Sequence, residues 1–285
     1  LYIKLVAPNT RDVVFNNRHV SVLSDLRNKL NLYYLSADAV RLFQSSPDLR
    51  RRLMDRFCSD YFSDYAGLHQ DYMKVVRQRN VLLKQDADAS KFQVWDETLV
   101  SLGVRVVDYR IKALKGLSER FKGFLKEVLP DYSEDILLSY MFKLLPEVDM
   151  ADYPSVLMGQ LSKGLGREKR MGYTLYGPHM DDFHIFLNEQ SLYSFYSRGI
   201  NRICAVVLHL AERVVLGELS GQVPILLLDD ALCELDWTNK QRLSGLLSHH
   251  SKVVYTGVLE EDQALFPEGT YYALKQGVLS SVYIS

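Results

Sequence analysis

The 285-residue sequence has few cysteines and no long apolar run, and each shortage excludes a class of function. No stretch reaches the roughly 18 apolar residues that a membrane helix needs, and no basic segment followed by an apolar one opens the chain. Neither a membrane span nor a signal peptide is therefore expected. Cys58, Cys204 and Cys233 are scattered and form no CxxC pair. That argues against a disulfide framework or a zinc site and points to the reducing cytoplasm. Neither sign of charge is in excess, since 34 Lys and Arg stand against 35 Asp and Glu. Any nucleic-acid partner would have to be met by local positive surface. Internal repeats and low-complexity segments are also lacking. So is GxxxxGK[ST], the loop and lysine that cradle nucleotide phosphates. The sequence opens on Leu1 rather than methionine, with residues 2–6 already strand-like, so we expect a truncated chain.

What is present suffices for a substantial core, with 47% hydrophobic residues. Residues 3–6 and 13–15 read as short strands, with a turn at Asn16-Asn17, and residues 32–35 as a further apolar run ending at Ser36-Ala37-Asp38. The period then changes. Ser46-Pro47-Asp48 places a capping hydroxyl, a proline and an acid at a helix start. Behind it Leu49, Leu53, Phe57, Tyr61, Tyr65, Leu68, Tyr72, Val76 and Leu83 recur at three- and four-residue steps, one stripe reaching about Lys84 with Gly67 as the place for a kink. A second such stripe runs from Phe92 to Val128 and stops at Pro130. The short polar joint at residues 86–90 predicts that the two pack antiparallel. At 1.5 Å per residue each would extend on the order of 50 Å, an arm rather than part of a small core. A short helix at 155–162 and a glycine- and charge-rich stretch at 164–172 follow. Strands are expected at 173–176 and, after Gly177-Pro178, at 183–187. A helix at 202–216, a strand at 224–228, a helix at 243–247 and a strand at 253–256 come next. A hairpin about Gly277 closes the chain. Helix and strand alternate here as a parallel sheet requires.

The most specific local signal is Ile225-Leu226-Leu227-Leu228-Asp229-Asp230. Four aliphatic residues suggest a strand buried on both faces, with two carboxylates at its end. In P-loop NTPases the first such carboxylate holds the magnesium shell and a second can position the attacking water. Adjacent strand residues point to opposite sides, so the pair reads as two roles rather than one dyad. A strand running into an acidic turn is the plainer alternative. Asp236 follows six residues after Asp230. Upstream, Ser197-Arg198-Gly199-Ile200-Asn201 precedes an apolar-periodic helix. Such a start can set backbone N–H groups and a hydroxyl on a phosphate, or be an ordinary N-cap. His179 with Asp181 and Asp182 reads as a proline turn with capping acids rather than a metal site. His249-His250 reads as a helix end, and Tyr61, Tyr65 and Tyr72 as packing within the arm. Basic residues cluster at Arg50-Arg51-Arg52 and Arg56. They recur at Arg105, Arg110, Lys112, Lys115, Arg120, Lys122 and Lys126. Such runs are ordinarily solvated faces. In a dimer that clamps they would line a cleft for sequence-independent phosphate contact, for which Arg105, Arg110, Lys112 and Lys115 are the candidates.

Taken in order, several pieces resemble the RecF family, within the ABC-type ATPases that include the SMC proteins. They are Tyr176-Gly177-Pro178-His179-Met180-Asp181-Asp182-Phe183, the loop at Ser197 with its helix through Leu210-Ala211-Glu212, and residues 225–236, joined by 46–55 and 77–85. The resemblance implies an α/β ABC-type ATPase head, incomplete at its N-terminus, with an inserted antiparallel helical hairpin as an arm. Residues 1–45 would be the remainder of the β-rich part of the head, 46–150 the arm and 151–285 the C-terminal part of the head. It makes Asp229 the Walker B magnesium carboxylate and Asp230 the catalytic carboxylate. Ser197 and Gly199 become parts of a signature motif that touches the γ-phosphate held by an opposite subunit, and Asp236 part of a D-loop at the dimer seam. ATP and Mg2+ are the implied cofactors. The implied partners are single-stranded or gapped DNA, a second copy of the chain, RecO and RecR, with a role in loading RecA and weak, DNA-stimulated ATPase activity in the complete protein. The truncated chain itself is expected to be inactive. The sequence departs from the family where Arg198, Ile200 and Asn201 replace its usual glutamines and Met180 its usual arginine. An SMC-type structural chromosome protein is an alternative, disfavoured by helices of only about 40 residues, far short of the long coils of that class. A nucleotide-inert binding module is another.

Overall fold

In the computed structural model, which describes residues 2–7, 10–15, 18–19, 31–132, 135–143, 148–275 and 278–282, the changes of sequence period become elements. Strands β1 (Tyr2–Ala7), β2 (Thr10–Phe15), β3 (Arg18–His19) and β4 (Leu32–Ser36) come first. Helices α1 (Pro47–Tyr61), α2 (Tyr65–Lys84) and α3 (Gln93–Val128) follow, then β5 (Ile136–Met141) and α4 (Tyr153–Met171). Next are β6 (Asp182–Leu187), β7 (Gln190–Ser191), the single turn α5 (Leu192–Phe195) and α6 (Arg198–Ser220). The chain continues with β8 (Ile225–Asp229), α7 (Trp237–His250), β9 (Lys252–Thr256), β10 (Tyr271–Lys275) and β11 (Val278–Val282). Two compact units result, one of Leu1–Ala39 with Arg213–Ser285 and one of Val40–Glu212.

The first unit holds the expected parallel sheet, in the order β4-β8-β9. Its register aligns Ser36 with Asp229 and Asp229 with Thr256. Alternation decides what each face carries. Leu35, Leu226 and Leu228 lie on the buried face, in the same unit's core with Leu243 and Leu247 of α7. Ile225 and Leu227 are only half-buried, and Leu32, Tyr34 and Val254 on the same face as they are exposed. The expectation of a strand buried on both faces is thereby corrected: one face of β8 is covered. β1, β2 and β3 pair antiparallel, as do β10 and β11. The turns expected at Asn16-Asn17 and about Gly277 lie outside the described residues.

The second unit contains the helical hairpin. Helix α3 runs 36 residues without a break, about 54 Å at the usual rise. Its partners show the antiparallel register directly. Arg79 bonds Asp96, Tyr65 stacks edge-on to Tyr109, and Tyr61 lies against Gly116. The stripe from 46 to 84 is interrupted at residues 62–64, not at Gly67. Phe62 turns extended (φ −120°, ψ 122°) and its ring packs 4.9 Å from that of Tyr109, so aromatic packing outweighs helical continuity there. Helix α4 is longer than expected and takes in the glycine-rich stretch. A Cβ on Gly164 would lie 2.3 Å from the Tyr176 ring, and Gly172 (φ 74°) ends the helix in the left-handed conformation. No strand forms at 173–176, because side chains satisfy its backbone: Asn80 accepts from Thr174 N and Glu168 from Leu175 N. β6 pairs instead with β5, which the sequence pattern did not reveal.

Candidate functional site

Ligand sites of parallel α/β sheets lie beyond the carboxyl ends of the strands. Here the middle strand β8 ends on Asp229. The pleat puts Tyr34, Asp229 and Thr256 on one face, and both neighbouring strands donate a hydroxyl to this carboxylate. Tyr34 Oη lies 2.6 Å from Oδ2 and Thr256 Oγ1 2.8 Å from Oδ1. The bond from Tyr34, then that from Thr256, holds the Asp229 carboxyl below its ordinary pKa, and the Tyr34 phenol is raised in turn, chiefly by the same bond. Neither hydroxyl was singled out from the sequence. Asp229 and Tyr34 are 195 positions apart, and no local pattern announces such a pair.

Asp230 leaves the strand. Its backbone is left-handed (φ 50°), and its carbonyl accepts from Cys233 N at 3.2 Å. The two carboxylates thus part company through a turn rather than through strand alternation. The turn, with Glu234 also left-handed, delivers Asp236 to the start of α7. There its side chain accepts from Asn239 N at 2.9 Å and from Asn239 Nδ2 at 2.6 Å. The Asn239 backbone N–H is the main reason its pKa is lowered. On the opposite face of β9 from Thr256, Tyr255 donates to Asp262 at 2.9 Å, and Lys240 of α7 holds the same carboxylate at 2.7 Å.

In the other unit, Ser197 precedes α6 and its Oγ accepts from Ile200 N at 3.3 Å. Asn201 Nδ2 donates to the carbonyls of Tyr196 and Ser197, each at 3.0 Å. Asn201 thereby fastens this loop, and Gly199 lies in the first helical turn.

The basic candidates do not stand together. Arg110 is 2% exposed. It pairs with Asp55 at 2.7 Å and donates to the Pro178 carbonyl at 2.6 Å and to Tyr140 at 3.3 Å. Its assignment to DNA contact is corrected: the guanidinium is an internal crosspiece. The signal was available, since position 110 falls on the buried spacing of Val106, Ala113 and Leu117. Arg50 is likewise buried on Asp182, and Arg51 reaches the Met180 and Asp181 carbonyls. Arg105, Lys112 and Lys115 are exposed, with Lys112 paired to Asp108 one turn away. His179, half-buried, is held between Tyr72 Oη at 2.6 Å and the Thr174 carbonyl at 3.0 Å. Among the described residues no cluster of His, Cys, Asp and Glu could enclose a metal ion, and no helix is long and apolar enough to cross a membrane.

No family model matches the sequence. Curated relatives do. The DNA replication and repair protein RecF of Clostridium kluyveri is 30% identical over an alignment of 286 residues, which takes in 98% of this chain and 77% of the relative. That of Halothermothrix orenii is 30% identical over 242 residues, 82% of this chain and 64% of the relative. The chain thus spans somewhat under two thirds of one relative and about three quarters of the other. Among solved structures, the recombination mediator protein RecF with ATP, of the RecFOR pathway, superposes with a TM-score of 0.73 at 24% identity, over 96% of this chain and 73% of that one. This likeness shows that the chain has the mixed α/β fold of that RecF structure.

Proposed function

Because the chain belongs to the RecF family of DNA replication and repair proteins, we propose that it contributes the magnesium and signature elements of an ATP site whose occupancy closes two copies on DNA. The observation that carries this is Asp229. An ionised carboxylate ends the middle strand of a parallel sheet, where such folds bind ligands, and a second acid follows on a left-handed turn. The donor set suits the group. Oxygen ligands from a carboxylate match hard Mg2+, which usually takes one or two carboxylates and completes its shell with phosphates and water. The phosphate cradle is not among these residues, for the sequence holds no GxxxxGK[ST].

In this reading Asp229 holds the cation and Asp230 accepts a proton from, or orients, the attacking water. Ser197 and Gly199, at the N-terminus of α6, meet the γ-phosphate of the opposite copy, where helix N–H groups favour an anion. Asp236 lies at the seam between copies. Mg-ATP supplies the phosphoryl group and the charge to be neutralised. Sequence-independent DNA binding, weak DNA-stimulated hydrolysis that releases the clamp, and action beside RecO and RecR in loading RecA at gaps complete the proposal.

The test compares two substitutions in a protein that carries this chain together with a phosphate-binding segment. Asp229→Asn should weaken Mg2+-dependent ATP binding. Asp230→Asn should leave ATP binding intact and slow turnover on the order of 100-fold or more, so that closed dimers accumulate on DNA. Turnover at the parental rate in Asp230→Asn would refute the assignment. If neither substitution alters nucleotide binding or turnover, the reading as a nucleotide-inert module, favoured by the absent phosphate loop, takes its place.

A further inference from the structure

We infer that Tyr34 and Thr256 are positioning residues for the Asp229 carboxylate, a clamp that fixes the direction in which it meets a hard divalent cation. The inference rests on the metal reading of Asp229 and deepens it. A carboxylate oxygen has two lone-pair positions. Each oxygen of Asp229 accepts one hydroxyl, Oδ2 from Tyr34 and Oδ1 from Thr256, which leaves one position on each for a cation or its water. The two donors come from the strands on either side of β8, so the carboxylate cannot turn about its own Cβ–Cγ bond without breaking both bonds. Hydrogen bonds of this kind to ligating groups set their orientation, and losing one typically weakens metal binding by about 10- to 100-fold.

Two features show that the clamp belongs to the fold. The parallel register sets Thr256 directly beside Asp229 and Tyr34 two residues back on the other neighbour. All three therefore lie on one face, as same-parity positions must. The end of β9 is also braced from behind. Tyr255, pointing to the opposite face, is tied to Asp262, which Lys240 holds in a buried pair at 2.7 Å. A Cβ on Gly257 would come within 2.7 Å of the Tyr255 ring and 2.9 Å of Asp262, so the backbone just after Thr256 is packed against the brace. Lys240 lies one turn along α7 from its cap, Asp236. The same few residues thus connect the helix that Asp236 starts to the hydroxyl that holds Asp229.

The experiment titrates this chain with Mn2+ and follows paramagnetic broadening of the backbone amide signals of Leu228 and Ala231, which isolates the site from other acids on the surface. Asp229→Asn should abolish the saturable broadening. Tyr34→Phe and Thr256→Val keep the shape and remove one hydroxyl each. Each should raise the apparent Kd for Mn2+ on the order of tenfold, with the melting temperature essentially unchanged, and Thr256→Ser should restore parental affinity. A purely structural role would lower the melting temperature and leave the affinity alone. Parental or tighter Mn2+ binding in Tyr34→Phe and Thr256→Val, with Asp229→Asn still defective, would overturn the clamp alone. Parental binding in Asp229→Asn would overturn the metal reading beneath it.

Discussion

Asp181 is buried and His179, two residues before it, is half-buried, and desolvation pushes them in opposite directions. The Asp181 carboxyl is raised to about 6 by desolvation, against the bonds it accepts from Lys143 N at 3.1 Å and Tyr140 Oη at 2.9 Å. The His179 imidazole is lowered to about 4, again by desolvation first. A raised carboxyl contributes stability that is present below its unfolded pKa and lost as pH climbs through the folded value. A lowered histidine contributes stability that is present above its unfolded pKa and lost as pH falls to the folded value. Between about pH 4 and 6 the two therefore oppose each other. Asp181→Asn removes one of them. The deficit of this variant relative to the parent should be greater at pH 4.5 than at pH 6.5, by roughly 2 kcal/mol. Urea unfolding at the two pH values measures it, and an equal deficit at both would show that Asp181 is not raised. Arg110, between Asp55 and Tyr140, is a residue of another kind. Its removal would take the guanidinium from the half-buried Asp55 carboxylate, which would keep Tyr65 and His69 as partners.

Helix α4 shows how one element can contain glycines of opposite consequence. A Cβ on Gly159 would have nothing within 4 Å, whereas one on Gly164 would meet Tyr176 Cε2 at 2.3 Å. Alanine is favoured over glycine in a helix interior by about 1 kcal/mol, so Gly159→Ala should raise the melting temperature. At Gly164 the overpacked ring outweighs that gain, since added volume in a filled site costs about 1–3 kcal/mol. Thermal melts of the two variants should move in opposite directions. A stabilised Gly164→Ala would mean that Tyr176 swings aside easily. The same element explains why the helix was expected to span only 155–162. Two glycines and a run of charges obscure a helix whose buried side is Leu157, Leu161, Gly164 and Glu168.

At the scale of the molecule, a net charge of −1 leaves the proposed DNA binding to local surface. Helix α3 offers Arg105, Lys112 and Lys115 as exposed cations, and Arg110 is excluded by its burial. Each phosphate contact releases counterions, so affinity falls with salt by a slope of about 0.7 to 0.9 per contact. Reversing Arg105, Lys112 and Lys115 to glutamate should lower that slope by roughly 2 to 3, measured by fluorescence anisotropy between low and moderate salt. An unchanged slope would leave these side chains as a solvated face.

The alternation of β8, α7 and β9 in a parallel sheet, the adjacent acids Asp229-Asp230 and the start of α1 were legible in the sequence alone. Each rests on neighbours in the chain: a run of aliphatics, a proline behind a serine, a period of three and four. What only the tertiary structure decided involves residues far apart. Phe62 breaks the first arm helix because its ring packs against Tyr109. Residues 173–176 stay out of a sheet because Asn80 and Glu168 take their backbone N–H groups. Arg110 turns inward because Asp55 and the Pro178 carbonyl receive it. Tyr34 and Thr256 meet Asp229 across 195 and 27 positions. Periodicity reports which side of an element is apolar. It does not carry the register between strands or the partner that a long polar side chain reaches, and those two settle how the site is held.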